Sequence, residues 1–268
     1  CGCSILGGGQ EATIASLGKR PPQLQDAPIQ AHEQLAINAY SDFLETGDSS
    51  AARPLAMRRI ADLNLEAEPV SQADATLLPE SIRAADSIKL YQQVLELYPE
   101  RGDNDLVLYQ LARAYEHNGQ PEASLATLAR LVRDYPDSSY TLEAHFRRGE
   151  ILFVRQDYRA AEQAYGAVIA AGGASPFYRQ SLYKSGWCWF KQSLFSEALD
   201  NFVSLLDLEL QDTISSEDRL ATLAPARREL VADTLRVTSL GFAYENGADT
   251  IARYFSRRGA REYADLLY

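Results

Sequence analysis

Three thiols, three imidazoles and a scattered set of carboxylates are the groups in this 268-residue sequence that could make or break bonds. The cysteines are Cys1, Cys3 and Cys188, an odd number and too few for a disulfide framework. Cys188 lies in "GWCWF", inside a helical pattern, where a thiol serves as a small buried hydrophobe rather than a nucleophile. His32, His117 and His145 fall at spacings that form no metal-ligand pattern with cysteine or carboxylate. The sequence has no glycine-rich phosphate loop, no nucleophile elbow and no HExxH. Its acids are dispersed over helix surfaces, and neighbours such as Glu143, Arg147 and Arg148 stand at the separations of ordinary helical pairs. With no catalytic constellation, the expectation is a protein that is not an enzyme and needs no metal or soluble cofactor.

The elements that would carry these residues are helical. Glycine and proline number only 16 and 11, several of each within the first thirty positions, and 46% of the chain is hydrophobic. The remainder is rich in Ala, Leu, Glu, Gln and Arg, which lose least on entering a helix. No run approaches the roughly 18 to 20 apolar residues that a membrane span requires. A formal net charge of −11 repels phosphate backbones, and no basic stripe with interleaved aromatics occurs, so nucleic acid is not an expected partner.

Three segments align without gaps: "LYQLARAYEHNGQPEASLATL", "HFRRGEILFVRQDYRAAEQAY" and "LYKSGWCWFKQSLFSEALDNF". They start at Leu108, His145 and Leu182, a period of 37 residues with two helical patterns in each unit. Repetition at that length predicts a solenoid of helical hairpins. A small residue recurs at Ala112, Gly149 and Gly186, where a larger side chain would hold the two helices of a hairpin apart. Tyr115, Leu152 and Trp189 follow three positions later on the same face. The second helix supplies Ser124, Ala161 and Ala198, again small, and then Leu128, Tyr165 and Phe202 to fill the space beside them. "HNGQP", "RQDY" and "KQSLF" punctuate the hairpins as turns.

On these residues, together with the closing Pro136, the segment from about 82 to 208 resembles the tetratricopeptide repeat. The usual unit of that family has 34 residues, so the extra three would lengthen the connection between units. Arg148 and Ser185 depart from the pattern, since the family prefers an apolar residue there. The expected fold is all-α, an α-solenoid with its best units near 105–138, 142–175 and 179–210 inside a repeat region spanning 31–210. Weaker copies flank them. "AINAYSDFLETGD" reads as a second helix, "PLAMRRIADLNLEAE" as a first helix, and "SIKLYQQVLELYPE" as its partner beyond an inserted loop. Residues 211–268 read as degenerate repeats or capping helices, the first of them capped by Ser215 or Ser216.

Residues 1–30 contain "GGG", "RPP" and several Gln and Ser with no sustained helical period, so they read as a flexible tether with an rms reach of roughly 30 Å. A leading cysteine, a tether and these repeats together resemble processed bacterial tetratricopeptide lipoproteins. The repeat style of "RDYPDSSYTLEAHFRRGEILF" is similar to the lipoprotein of the outer-membrane β-barrel assembly machine and to the coordinator of the Tol–Pal system. The resemblance implies a covalent lipid on Cys1, on the scale of about 0.8 kcal/mol per buried CH₂. By the same resemblance, Gly2 in place of Asp favours the outer membrane, with the protein on its periplasmic face. The competing reading is a boundary that merely leaves cysteine first.

In tetratricopeptide folds the first helix of each hairpin lines a concave face. The resemblance therefore implies a groove formed by Tyr109, Arg113 and Glu116, then Phe146, Glu150 and Phe153, then Tyr183, Trp187 and Phe190. The first position is aromatic in all three units, and such a ladder suits an extended peptide or an amphipathic helix from another envelope protein. The alternative for these rings, above all Trp187 and Phe190, is that a helix from 216–268 covers them as core. The expected function is thus a lipid-anchored scaffold that docks partner proteins. The competing expectations are a subunit whose groove is permanently occupied in a large envelope assembly, and a peptidoglycan- or glycan-binding module.

Overall fold

The computed structural model describes residues 29–47, 51–66, 80–210, 220 and 222–268. Cys1, Cys3 and nearly all of the expected tether lie outside the described residues, as do the proposed caps Ser215 and Ser216.

The described residues form eleven α-helices and a short 3-10 helix. The helices are α1 (Ile29–Glu45), α2 (Ala52–Glu66), α3 (Glu80–Leu97), α4 (Asn104–His117), α5 (Pro121–Asp134) and α6 (Thr141–Val154). They continue with α7 (Tyr158–Ala170), α8 (Tyr178–Lys191), α9 (Phe195–Leu210), α10 (Pro225–Tyr244) and α11 (Ala248–Arg258). The 3-10 helix covers Glu262–Leu267. From α1 to α11 each helix packs on the next, so α2/α3, α4/α5, α6/α7 and α8/α9 form stacked hairpins.

The hairpins close as the repeat pattern predicts. A Cβ on Gly149 would stand 2.5 Å from the Tyr165 ring, and one on Gly186 would stand 2.5 Å from Phe202. Ring and glycine are therefore a matched pair, and both rings are fully buried. The first pair α2/α3 keeps the same register in its second helix. Ser87 and Tyr91 stand 37 residues before Ser124 and Leu128 and are likewise fully buried.

A polar rule runs with this packing. Tyr91 Oη donates to Asp62 at 2.7 Å and Tyr165 Oη donates to Glu150 at 2.5 Å. Each tyrosine hydroxyl, buried by the hairpin, is satisfied by an acid on the preceding helix. Where the second helix carries Leu128 or Phe202, no such acceptor is needed, and Arg113 and Trp187 stand one residue after Ala112 and Gly186 instead.

The turn within each hairpin also repeats. Gly119, Gln156 and Ser193, 37 residues apart, adopt φ of 67°, 63° and 61°. Only the first uses the residue that tolerates the left-handed region without a steric cost. Asp157 then accepts from the Ala160 amide at 3.2 Å as the N-cap of α7.

The last helices are fixed by two acids on α9, one buried and one half-buried. Glu209, 1% exposed, accepts from Arg179 at 2.5 Å on α8 and pairs with Arg227 on α10. Asp207 receives Arg261 at 2.8 Å and Tyr263 Oη at 2.5 Å, which seats the 3-10 helix. Tyr263 and Leu267 join α9, α10 and α11 in one apolar cluster. The helix expected to be capped at Ser215 or Ser216 is described from Pro225, which occupies the first helical turn.

Candidate partner-binding face

The residues expected to line an open groove are mostly occupied in joining one hairpin to the next. Tyr109 on α4 is 8% exposed: it stacks on Tyr140 at 4.7 Å and donates to Glu143 Oε1 on α6 at 2.5 Å. The Arg147 guanidinium lies over the same ring, 5.6 Å from its centroid. Phe146 on α6 is half-buried and stacks on Phe177, which precedes α8, at 5.1 Å. Tyr183 on α8 donates to Asp233 on α10. In the first pair, Arg58 on α2, three residues before Ala61 as Tyr109 is before Ala112, bonds Asp103 at the head of α4 at 3.0 Å. The column is a series of forward joints. The expectation of an open ring is corrected at Tyr109, whose side chain is buried against α6, and Phe146 is half-buried against Phe177.

Charge on this face is paired internally. Glu116 accepts from Arg147 at 3.0 Å and from Ser124 Oγ at 3.0 Å, and Arg147 also holds Glu143 at 2.9 Å. Arg113 is half-buried and donates to Gln110 on its own helix at 3.0 Å. Glu150 accepts from Lys184 at 3.0 Å, and the same ammonium stands 5.0 Å from the Phe153 centroid. Phe153 packs edge-on against Tyr158 at 5.4 Å. Arg148 departs from the expected helical pairing. It makes no ion pair among the described residues, its Nε is buried without a partner, and burial lowers its pKa.

The third unit differs because α10 lies beside α8 as a further first helix. Tyr183, Trp187 and Phe190 pack half-buried against a core of Ala198, Phe202 and Val237, so the covering helix weighed for Trp187 and Phe190 is α10. Burial and the Asp233 carboxylate push the Tyr183 phenol up to about 12. Trp187 meets Tyr183, Phe190 and Phe202 at 6.3, 5.4 and 6.3 Å, with the Lys191 ammonium 5.6 Å from its ring. Burial pushes the neighbouring Cys188 thiol up to about 12, which suits the packing role read from sequence.

The cover is incomplete. A cleft of about 570 Å³ opens between α8 and α10, lined by Tyr183, Ala226, Glu229, Leu230, Asp233 and Arg236. From it a stripe runs along α10 through Arg236 and Leu240 to Tyr244 at helical spacing, a length of about 16 Å from Asp233. Leu240 is 40% exposed and Tyr244 is 61% exposed. The Tyr244 ring stacks on Phe195 at 4.7 Å and meets Phe190 at 6.0 Å. Open aromatic surface thus stands at the α8–α10 seam, not along the whole ladder. Phe195, Asp233, Arg236, Leu240 and Tyr244 were missed in the sequence, although the last four recur every three to four residues.

The hairpin geometry and the groove register have a counterpart among known families. Residues 82–145 and 146–206 match the tetratricopeptide repeat. Stacked repeats of this kind present extended surfaces that suit binding to other polypeptides. Among solved structures, MamA 41-end from Desulfovibrio magneticus RS-1 is 14% identical, covers 65% of this chain and 83% of its own, with a TM-score of 0.44. A MamA RS-1 double mutant is 13% identical over 76% of this chain and 90% of its own, with a TM-score of 0.49. The C-terminal part of a repeat-containing protein from Cytophaga hutchinsonii is 13% identical over 88% of each chain, also with a TM-score of 0.49. No curated protein matches the chain.

Proposed function

We propose that the protein is a non-enzymatic scaffold whose α8–α10 seam docks a segment of a partner protein, as a helix or an extended strand. The observation that carries this reading is the continuity of the cleft at Tyr183 and Asp233 with the exposed, ring-backed Tyr244. Apolar anchors set beside paired charges are the composition of a binding hot spot. The match of residues 82–206 to tetratricopeptide repeat models, which carry no catalytic family, supports the non-enzymatic part.

Location is a further part of the proposal. A lipid on Cys1 would hold the scaffold at the periplasmic face of the outer membrane, near other envelope proteins. Its support is the Gly-, Pro- and Gln-containing composition of residues 1–30 and the likeness to envelope lipoproteins in repeat style. Intact mass measurement of the natively extracted protein tests it: diacylglyceryl and acyl groups on Cys1 are expected, and a bare amine refutes it.

The docking part is tested by Leu240→Asp and Tyr244→Asp in the purified full chain. Both side chains are exposed, so helicity measured by circular dichroism should hold while co-purification of the partner falls at least tenfold. Retention of the same partner by the double variant would refute the seam.

A further inference from the structure

A second cleft, of about 480 Å³, lies on the other side of the last hairpins, between α9 and α11. Ser196 and Asp200 line it from α9, Glu245 and Asn246 from the turn, and Thr250, Arg253, Tyr254, Arg257 and Arg258 from α11. The three guanidinium groups come from one helix at positions i, i+4 and i+5, and their saturation differs. Arg258 pairs with Asp200 at 2.8 Å, and Tyr254 Oη donates to the same carboxylate at 2.9 Å. Arg253 reaches only the Asp249 carbonyl and Thr250 Oγ1 of its own helix. Arg257 makes no ion pair among the described residues. Two exposed guanidinium groups therefore lack a carboxylate, in a chain whose formal charge is −11.

We propose that this cleft binds an acidic polypeptide segment whose two carboxylates sit on Arg253 and Arg257. The Arg258–Asp200 pair shows that the cleft accommodates a guanidinium–carboxylate contact, and a free planar guanidinium can take a carboxylate as a fork. Residues four apart on a helix stand about 6 Å apart. A Glu-x-Glu segment in extended form presents alternate side chains at about the same separation, roughly 6.6 Å. Asp200 at the cleft wall is already taken by Arg258 and Tyr254, so Arg253 and Arg257 are the cleft's uncompensated charges. Ser196 and Asn246 add neutral polar groups for the segment's backbone.

The test is fluorescence anisotropy with the full chain and labelled peptides that differ only as Glu-x-Glu or Gln-x-Gln. At low salt the Glu peptide should bind at least tenfold more tightly. Arg253→Gln with Arg257→Gln should remove at least tenfold of that affinity, while Arg155→Gln in the turn after α6 together with Arg159→Gln on α7 should leave it unchanged. Both arginine pairs are at the surface, so circular dichroism should not distinguish the variants. Equal binding of the two peptides, or full binding by the Arg253/Arg257 variant, overturns the proposal. So does binding of phosphatidylglycerol vesicles or inorganic phosphate in preference to the Glu peptide. None of these readings involves Leu240 or Tyr244, so failure here and failure of the seam are separate results.

Discussion

Tyr109 and Glu143, thirty-four residues apart in sequence, are joined by a hydroxyl–carboxylate hydrogen bond of 2.5 Å that ties α4 to α6. An open groove residue replaced by another would change stability by less than about 0.5 kcal/mol. A joint behaves otherwise. Tyr109→Phe should cost about 1 kcal/mol, the net worth of one hydrogen bond, because Glu143 keeps Arg147. Tyr109→Ala should cost about 3 to 5 kcal/mol through the lost ring. Urea unfolding of the two variants measures both, and near-neutral values would return Tyr109 to the surface.

The glycine–ring pairs give a sharper expectation. With a Cβ held 2.5 Å from Tyr165, Gly149→Ala should destabilise by about 1 to 3 kcal/mol through overpacking, and Gly186→Ala by a similar amount against Phe202. Adding Tyr165→Leu to Gly149→Ala recreates the Ala112–Leu128 pair of the preceding unit and should recover part of the loss. Thermal unfolding of the single and double variants decides it. An additive loss would mean that ring and glycine are not matched.

Gln156 and Ser193 hold the left-handed turn that Gly119 occupies one unit earlier. The strain of a side chain there is about 1 to 2 kcal/mol, offset in part by the greater unfolded-state freedom of glycine. Gln156→Gly and Ser193→Gly should each stabilise by about 0.5 to 1 kcal/mol. A drop in melting temperature would contradict the turn assignment.

His145 sets a pH dependence. Burial, and then the charge of Arg148, hold its imidazole pKa below the ordinary value of 6.5. The unfolded chain therefore binds more protons than the folded one as pH falls below about 6.5, and stability falls with it until the folded pKa is passed. His145→Gln should flatten that slope between pH 7.5 and 5. Asp103 and Asp233, whose pKa values are lowered, act below this window. Glu162, raised by burial, acts with the opposite sign and is common to both proteins. Parallel stability curves for wild type and variant would exclude His145 as the cause.

The repeat was legible because its determinants are local. A small residue, a large apolar or aromatic residue sixteen positions on and a turn between them recur at a fixed period, and the same period extended backward reaches Ser87 and Tyr91. The groove was less legible. The Tyr109, Phe146 and Tyr183 column sits at the right helical positions. Whether each ring faces solvent or the next hairpin depends on the angle between units, which no spacing within a unit encodes. Tyr109 shows the consequence, since its partners Tyr140 and Glu143 belong to the following unit. The seam was missed for a related reason: α10 carries Thr234 and Thr238 among its buried residues, so its apolar face is weak and its role as a further first helix emerges only from contact with α8.

The most direct measurement of the docking seam is site-specific photocrosslinking in the native host. A photoreactive phenylalanine analogue is placed at Leu240, at Tyr244 and, as a control, at exposed Gln163 on α7. A discrete crosslinked polypeptide from the first two positions and none from the third is the expected result. Crosslinks of equal yield from Gln163, or none from Leu240 and Tyr244 while the protein remains folded, would contradict it.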